Sequence, residues 1–211
     1  MKQILLLFFF LLAVSFAATA QDAVPQKDYE MKTLFGQPVT NGGYGALSVG
    51  YTRMDGRNTL LSGIKGGWTI SHKFTLGLAG YGFVNNFSYV NNADEEALTG
   101  GFGGLLFEPV FWSRYPVHLT LPLIIGAGGI TYLKDTPAWY DYQPYPSSAF
   151  FVIIPGMELE LNIVKFFRIA IGVDYRITPD IELKDVLGNR LTDPGVMRGF
   201  SGHLVLKFGK F

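Results

Sequence analysis

The stretch FFRIAIGVDYR, residues 166–176, decides the fold, because large apolar residues alternate in it with small or charged ones. The apolar parity holds Phe167, Ile169, Ile171, Val173 and Tyr175. The other parity holds Arg168, Ala170, Gly172, Asp174 and Arg176. A period of two residues predicts a β-strand whose two faces meet different surroundings. The same alternation occurs near residues 117–132, 148–161 and 196–210, so the chain is predicted to be all-β.

The connections between strand-like segments alternate in length. The eight predicted strands are residues 44–53, 60–70, 74–84, 98–111, 117–132, 148–161, 166–177 and 196–210. Three connections are short (71–73, 112–116 and 162–165), and four are long or rich in turn residues (around Asp55-Gly56, then 85–97, 133–147 and 178–195). Short turns at one end and long loops at the other are typical of outer-membrane barrels. The pattern predicts an eight-stranded antiparallel up-and-down transmembrane β-barrel with both termini periplasmic.

Alternation alone does not say which face of the barrel is outside, and a soluble barrel with an outward polar face is the alternative. Only 16% of the 211 residues are charged, against about 25% in ordinary soluble domains. Aromatic residues gather near the short turns at Trp68, Phe74, Phe111, Trp112, Tyr115, Phe166 and Phe167. A second group lies near the long loops at Tyr51, Phe83, Tyr132, Phe151, Tyr175 and Phe200. Two aromatic bands favour a barrel whose apolar face meets lipid.

The amino-terminal region has the pattern of a secretory signal. Lys2 precedes an apolar run, and Ala18-Thr19-Ala20 forms an A-x-A cleavage site. We therefore predict a cleaved signal peptide at 1–20, a periplasmic tail at 21–43 and a barrel domain at 44–211. An uncleaved anchor is the alternative, although the run is shorter than a spanning helix requires. The predicted location is a Gram-negative outer membrane, and outer-membrane lipid is the predicted partner.

The last eight residues, LVLKFGKF at 204–211, resemble the terminal strand by which Gram-negative barrels are recognised for assembly. The segments KTLFG (32–36), GGYG (42–45) and GFSG (199–202) resemble a family of uncharacterised small outer-membrane β-barrel proteins. The resemblance covers most of the mature chain, and it implies a fold and a location but no activity. Phe211 lies on the opposite parity from Phe208, so either the strand ends at Phe208 or a bulge near Gly209 resets it.

Several classes of function are disfavoured by composition and motif. The net charge is zero, which leaves no basic excess to hold a nucleic acid. There is no cysteine, and no metal or cofactor site is predicted. The glycine run at 126–129 lacks the context of a dinucleotide fingerprint. The run at 100–104 lacks the Lys-Ser/Thr of a phosphate loop, and glycine there is expected to relieve crowding or permit bending of the strand.

Charged residues on the inward parity predict an ion network inside the barrel. Its members are Lys65, Glu108, His118, Glu158, Glu160, Arg168, Asp174, Arg176 and Lys207. The short turns should bring Glu160 opposite Arg168 and Glu108 near His118. Buried charges must be paired, so the main interpretation is structural. A narrow solute pore is the alternative, although eight strands leave little room for an open channel.

A nucleophilic site is the second alternative. Ser201 and His203 share one face of the last strand, and Asp174 lies on the neighbouring strand. Such a set could serve a lipid-modifying acyltransferase or deacylase of the outer membrane.

The third long loop carries an aromatic, proline-rich tip with Trp139, Tyr140, Tyr142 and Tyr145. These rings could stack on a sugar or anchor a protein, or they could pack against the rim. The leading hypothesis is a monomeric structural or surface-interaction protein, not an enzyme, that displays loops three and four to an extracellular partner.

Overall fold

The computed structural model describes residues 41–85, 97–133, 146–184 and 188–211. The strands in these ranges are β1 (Asn41–Met54), β2 (Arg57–Ile70), β3 (Phe74–Val84), β4 (Ala97–Phe111), β5 (Val117–Thr120), β6 (Leu123–Leu133), β7 (Ser147–Val164), β8 (Phe167–Arg176) and β9 (Gly199–Lys210). No helix in these ranges is long and apolar enough to cross a membrane.

The strands close into one antiparallel ring. From β1 to β4 and from β7 to β9, each strand pairs with the next in sequence, and β1 pairs with β9 from Gly43↔Lys210 to Thr52↔Ser201. β5 and β6 both pair with β4 on one side and with β7 on the other, so together they form one interrupted strand of the ring. The ring therefore has eight strands, which confirms the predicted up-and-down barrel.

The interruption of the fifth ring strand lies at Leu121 and Pro122. Proline has no N–H and cannot donate to a strand ladder. The neighbouring strands bridge the gap, because Leu121 donates to the carbonyl of Pro109 and Gly156 donates to the carbonyl of Pro122. The segment predicted as 117–132 is thus correct in extent but broken in its middle.

The outer surface of the barrel is apolar, as the alternation predicts. In β8, Ile171 and Val173 are 59% and 51% exposed, whereas Ala170 and Arg176 are fully buried. β7 repeats this pattern, with Met157 and Leu159 outside and the neighbouring glutamates inside. A soluble barrel of the same alternation would place its charges outside, so that alternative is wrong.

Two neighbouring ring strands approach each other closely at a pair of glycines. Gly104 of β4 lies opposite Gly126 of β6. A Cβ on Gly126 would stand 2.0 Å from the carbonyl oxygen of Gly103 and 2.6 Å from the Cα of Gly104. The expectation that glycine here relieves crowding is confirmed.

The barrel end with the long loops differs from the sequence prediction in two ways. Phe83 and Tyr132, predicted as part of an aromatic band around the outside, face the interior and join an apolar cluster there. The last strand begins at Gly199 rather than at Val196. Val196 and Met197 instead precede it in the fourth loop, with side chains 4% and 0% exposed. Both differences arise because this end of the interior is apolar.

The structure also differs from the prediction where β1 pairs with β9, at the start of β1 and at the end of β9. β1 begins at Asn41, three residues before its predicted start. β9 continues to Lys210 with no register shift against β1, so neither an end at Phe208 nor a bulge at Gly209 occurs. Phe211 follows on the inward side and stacks on Tyr44, with ring centroids 6.0 Å apart.

Candidate functional site

The interior of the barrel has two layers of opposite chemistry. The ionic layer lies toward the short turns, and the apolar layer lies toward the long loops. The ionic layer consists of Tyr44, Lys65, Glu108, His118, Glu158, Glu160, Arg168, Asp174, His203 and Lys207. The apolar layer includes Met54, Leu61, Phe83, Leu98, Phe102, Ile130, Phe150, Val152, Ile154, Ile181, Leu183, Val196 and Met197.

Two lysines hold the centre of the ionic layer. Lys207 Nζ lies 2.9 Å from Glu108 Oε1, 2.6 Å from Glu160 Oε2 and 3.3 Å from Glu158 Oε2. Lys65 Nζ lies 2.5 Å from Glu158 Oε1 and 3.2 Å from Glu108 Oε2. These side chains are at most 2% exposed. Charges so far from water are tolerated only because each meets opposite charge at hydrogen-bond distance.

The backbone register explains how the two lysines meet. Ala46 of β1 lies opposite Lys65 of β2 on one side and opposite Lys207 of β9 on the other. Ala46 is small, which leaves room for both long side chains to reach the glutamates across the lumen. Tyr44, one inward position nearer the turns, donates its hydroxyl to Glu108 at 3.0 Å.

Two contacts that the sequence predicted by turn geometry differ in the structure. Arg168 lies opposite Asn162 rather than Glu160, because β7 continues to Val164 and the turn is shorter and later in the chain than predicted. Arg168 Nη1 still reaches Glu160 Oε1 diagonally, at 2.7 Å. Glu108 contacts Tyr44 and the two lysines, whereas His118 contacts Glu160 through Nε2 at 3.2 Å. The Glu108–His118 contact is therefore replaced by two separate ones.

His203 marks the boundary between the two layers. Its Nδ1 lies 2.9 Å from Asp174 Oδ2, and its Nε2 lies 3.1 Å from Glu158 Oε1. When both carboxyl groups are ionised they only accept hydrogen bonds, so both ring nitrogens then donate and the imidazole is positively charged. With this charge, the four carboxylates of the layer are balanced by two lysines, one arginine and one histidine.

The structure does not assemble the predicted nucleophile set. Ser201 Oγ accepts a hydrogen bond from Arg176 Nη1. Both nitrogens of His203 are taken by carboxylates, so neither can accept a proton from Ser201. Ser201 lies directly opposite Asp174 in the pairing of β8 with β9, but its hydroxyl binds Arg176, whereas His203 binds Asp174 and Glu158.

Arg176, predicted as part of the ion network, lies in the apolar layer instead. It is fully buried, and within the described ranges it makes no hydrogen bond or ion pair with a carboxylate. Its guanidinium donates to Thr52 Oγ1 at 2.8 Å, to Ser201 and to the carbonyl oxygen of Met197 at 3.0 Å. The last contact fixes the end of the fourth loop inside the barrel mouth.

The fourth loop closes the mouth with apolar side chains and pairs its charges outside. Ile181, Leu183, Val196 and Met197 are all buried on the apolar layer. Outside, Asp180 pairs with Arg198 at 2.7 Å, and Glu182 pairs with Lys184 at 2.5 Å and with Arg190 at 3.1 Å. Hydrogen bonding to Lys184 and the charges of Lys184 and Arg190 lower the pKa of Glu182.

Two internal cavities show how closely the lumen is filled. One is lined by Tyr44, Thr69, Thr75, Glu108, Arg168 and Phe211 at the turn end, and the other by Ser48, Leu61, Tyr81, Phe102, Asp174 and His203 between the layers. Each has a volume of about 10 Å³, room for about one water molecule.

Several predicted features lie outside the described residues. These are the signal peptide, the tail up to residue 40, and the loop aromatics Trp139, Tyr140, Tyr142 and Tyr145. Sequence reasoning also missed important residues inside. Tyr44 shares the parity of Ala46 and could have been placed in the ionic layer. The isolated pairs Ile181/Leu183 and Val196/Met197 are apolar residues in a polar loop, which is a signal for burial.

No family model and no curated protein matches the chain. Among solved structures, the chain is similar to Neisserial surface protein A, with 11% identity, a TM-score of 0.54, and coverage of 83% of this chain and 100% of that one. The barrel domain of Pseudomonas aeruginosa OprF has 10% identity, a TM-score of 0.46 and coverage of 81% and 98%. The Ail attachment invasion locus protein of Yersinia pestis, in complex with the heparin analogue sucrose octasulfate, has 14% identity, a TM-score of 0.45 and coverage of 81% and 95%.

Proposed function

We propose that the protein is a monomeric, non-conducting barrel of a Gram-negative outer membrane that acts through its loops on a partner outside the cell. One observation carries the proposal: a closed ring of eight strands is apolar outside and filled inside. Likeness to a Neisserial surface protein supports the fold part of this reasoning. The predicted export by a signal peptide at 1–20 supports the location.

The apolar outer surface supports residence in lipid. Side chains such as Leu47, Ile64, Leu78, Phe151 and Phe200 are 58%, 65%, 66%, 78% and 73% exposed on it. A soluble monomer rarely exposes contiguous apolar patches of more than a few hundred Å². A closed ring also leaves no unpaired strand edge, which is the condition for strands to cross a bilayer.

The filled interior argues against the narrow pore. An ion would have to displace the fourth-loop residues from the mouth and then cross paired charges at the centre. Displacing Lys207 from three glutamates would leave uncompensated buried charge. The contact of Ser201 with Arg176, and of both His203 ring nitrogens with carboxylates, argues equally against the acyltransferase or deacylase. Both alternatives therefore rank below the structural and surface-interaction role.

Location can be tested by fractionation and gel mobility. The protein should appear in the outer-membrane fraction and should migrate differently in detergent gels before and after boiling, because a closed barrel resists unfolding by detergent. Recovery in the periplasm, or mobility that is independent of heating, would contradict the proposal.

The closed lumen can be tested in planar bilayers. Purified, folded protein should give no discrete conductance steps. The double variant Lys207→Ala with Met197→Ala removes part of both layers, so it should show conductance under conditions in which the unmodified protein shows none. Steady single channels from the unmodified protein would favour the pore.

The loop role can be tested by exchange of loops three and four. Replacing residues 134–145 and 185–195 by short Gly/Ser turns should preserve heat-modifiable mobility while abolishing binding of cells to a surface coated with sulfated glycan or host matrix protein. Unchanged binding would leave the barrel wall as the interacting surface and would contradict the loop hypothesis.

A further inference from the structure

The turn end of the barrel carries a set of exposed basic residues, which we call the basic collar. It consists of Lys73 in the β2–β3 turn, Arg114 between β4 and β5, Lys165 between β7 and β8, and Lys210 at the end of β9. All four side chains are exposed. Because their four positions belong to different connections or strands, the collar is distributed around the ring rather than confined to one patch.

None of the four collar side chains has a hydrogen bond or ion pair recorded with another described residue. The acidic side chains within the described ranges lie elsewhere. Asp55, Asp180, Glu182 and Asp193 belong to the loop end, and Glu108, Glu158, Glu160 and Asp174 lie in the lumen. The exposed charged side chains of the described turn end are therefore of one sign.

The loop end has the opposite character. Its exposed cations Arg53, Arg57, Lys184, Arg190 and Arg198 share that end with the exposed acids Asp55, Asp180, Glu182 and Asp193. Lys184, Arg190 and Arg198 are each paired with an acidic side chain of the same loop. Positive charge at the loop end is largely offset within the protein, so the larger excess of exposed positive charge in the described ranges lies at the turn end.

Exposed aromatic residues place the collar at the edge of the apolar surface. Trp68, Phe111, Trp112, Tyr115 and Phe166 are 52%, 43%, 67%, 63% and 64% exposed at the turn end. Tryptophan and tyrosine prefer the boundary between hydrocarbon and headgroups. Arg114 lies between Trp112 and Tyr115 in sequence, and Lys165 precedes Phe166, so the cations are at headgroup depth.

We propose that the basic collar binds the phosphate groups of anionic phospholipids in the membrane leaflet at the turn end. This inference rests on the proposed residence in a membrane. The long side chains of lysine and arginine can keep their stems on the apolar wall and extend their charges to the phosphates. One such residue near an anionic surface changes partitioning by about fivefold, so four should produce a measurable preference for anionic over zwitterionic lipid.

The test uses Trp112 as a reporter, because it is two residues from Arg114. A full-length variant with Trp68→Phe and Trp139→Phe is folded into vesicles of phosphatidylcholine and phosphatidylglycerol. The acyl chains of one lipid or the other are brominated, and both are present at equal mole fraction. Quenching of Trp112 should be stronger when phosphatidylglycerol carries the bromine. The relative association constant for phosphatidylglycerol over phosphatidylcholine, derived from the two quenching values, should be about five.

The collar variant K73Q/R114Q/K165Q/K210Q in the same background should lose this preference and give equal quenching by both lipids. A matched variant that removes four cations at the loop end, R53Q/R57Q/K184Q/R190Q, should retain it. Added free phosphate should have no more effect than chloride of equal ionic strength, which distinguishes a lipid site from a site for the free ion.

Each remaining outcome has a defined meaning. Equal quenching by the two lipids in the reporter protein itself would overturn the collar proposal. That result would fit a collar whose cations are covered by another segment of the same chain. A preference that survives in the collar variant would also overturn it. Failure of the reporter protein to fold in vesicles, seen as mobility independent of heating, would overturn the proposed membrane residence instead.

Discussion

The two layers of the lumen fill the same barrel by different physical means. The apolar layer is filled partly by strand residues and partly by Met197 and its neighbours from the fourth loop. The ionic layer is filled by strand residues alone, and its stability depends on a complete set of partners. An apolar layer accepts material from a loop because no partner has to be matched, whereas a buried charge without a partner is strongly destabilising.

The largest expected effect belongs to the centre of the ionic layer. Lys207→Met keeps most of the side-chain volume but leaves Glu108, Glu158 and Glu160 with too little positive charge. We expect the free energy of unfolding in lipid vesicles to fall by about 3–5 kcal/mol, as measured by urea titration of tryptophan fluorescence. Lys210→Met, an exposed change on the same strand, serves as the control. A loss below about 1 kcal/mol would show that the layer tolerates unpaired charge.

A smaller effect is expected in the apolar layer. Met197→Ala removes a fully buried side chain without leaving a charge or donor unpaired. We expect a loss of about 2–3 kcal/mol, the low end for buried methionine, because the loop can partly collapse onto the gap. The outward Met157→Ala on β7 is the control. If Met197→Ala cost as much as Lys207→Met, the proposed contrast between the layers would be wrong.

A substitution at Ser201, near the boundary between the layers, should lower the free energy of unfolding by a still smaller amount. Ser201→Ala removes one acceptor from the buried Arg176, whose other two recorded contacts remain. The expected loss is about 1.5 kcal/mol, and lipid A and phospholipid composition should be unchanged by mass analysis of cells. Ser62→Ala, on the outer face of β2, is the control. A change in acyl content that both Ser201→Ala and His203→Ala abolish would instead support the enzyme.

The smallest effect is expected at the solvated ion pairs of the fourth loop. Glu182 is close to Lys184 and Arg190, which lower its pKa. A lowered pKa in the folded state gives stability that is present above the unfolded pKa and is lost as the pH falls through the folded one. Glu182→Gln should therefore shift the urea midpoint slightly at neutral pH and not at all at strongly acid pH, with Lys184→Gln behaving alike. A larger shift in acid would contradict this sign.

The difference between the layers also explains which parts of the site could be predicted from sequence. The inward parity of Glu158, Glu160, Arg168 and Lys207 follows from strict alternation, and the structure places all four inside. Their partners did not follow, because β7 ends later and its turn is shorter than the sequence indicates, which moves Arg168 opposite Asn162. Turn geometry at that precision depends on the local backbone, which a period of two does not encode.

The apolar layer was not predicted, because a period of two assigns a residue to a face of the strand but does not show how the chemistry of the lumen changes along the barrel axis. Phe83 and Tyr132 looked like members of an outer aromatic band, since their distance along the strand fits either surface. Arg176 looked like a member of the ion network for the same reason. Only the packing around the fourth loop shows that this end of the lumen excludes charge and uses Arg176 to hold a backbone carbonyl.

The sequence by itself determined the strand number, the antiparallel order and the inward or outward face of most strand residues. These properties follow from periodicity and connection length, which are local along the chain. The tertiary structure alone decided which carboxylate meets which lysine, the contact of Ser201 with Arg176 instead of His203, and the closure of the mouth by the fourth loop. Such contacts join residues distant in sequence through register and barrel curvature, and no local pattern records either quantity.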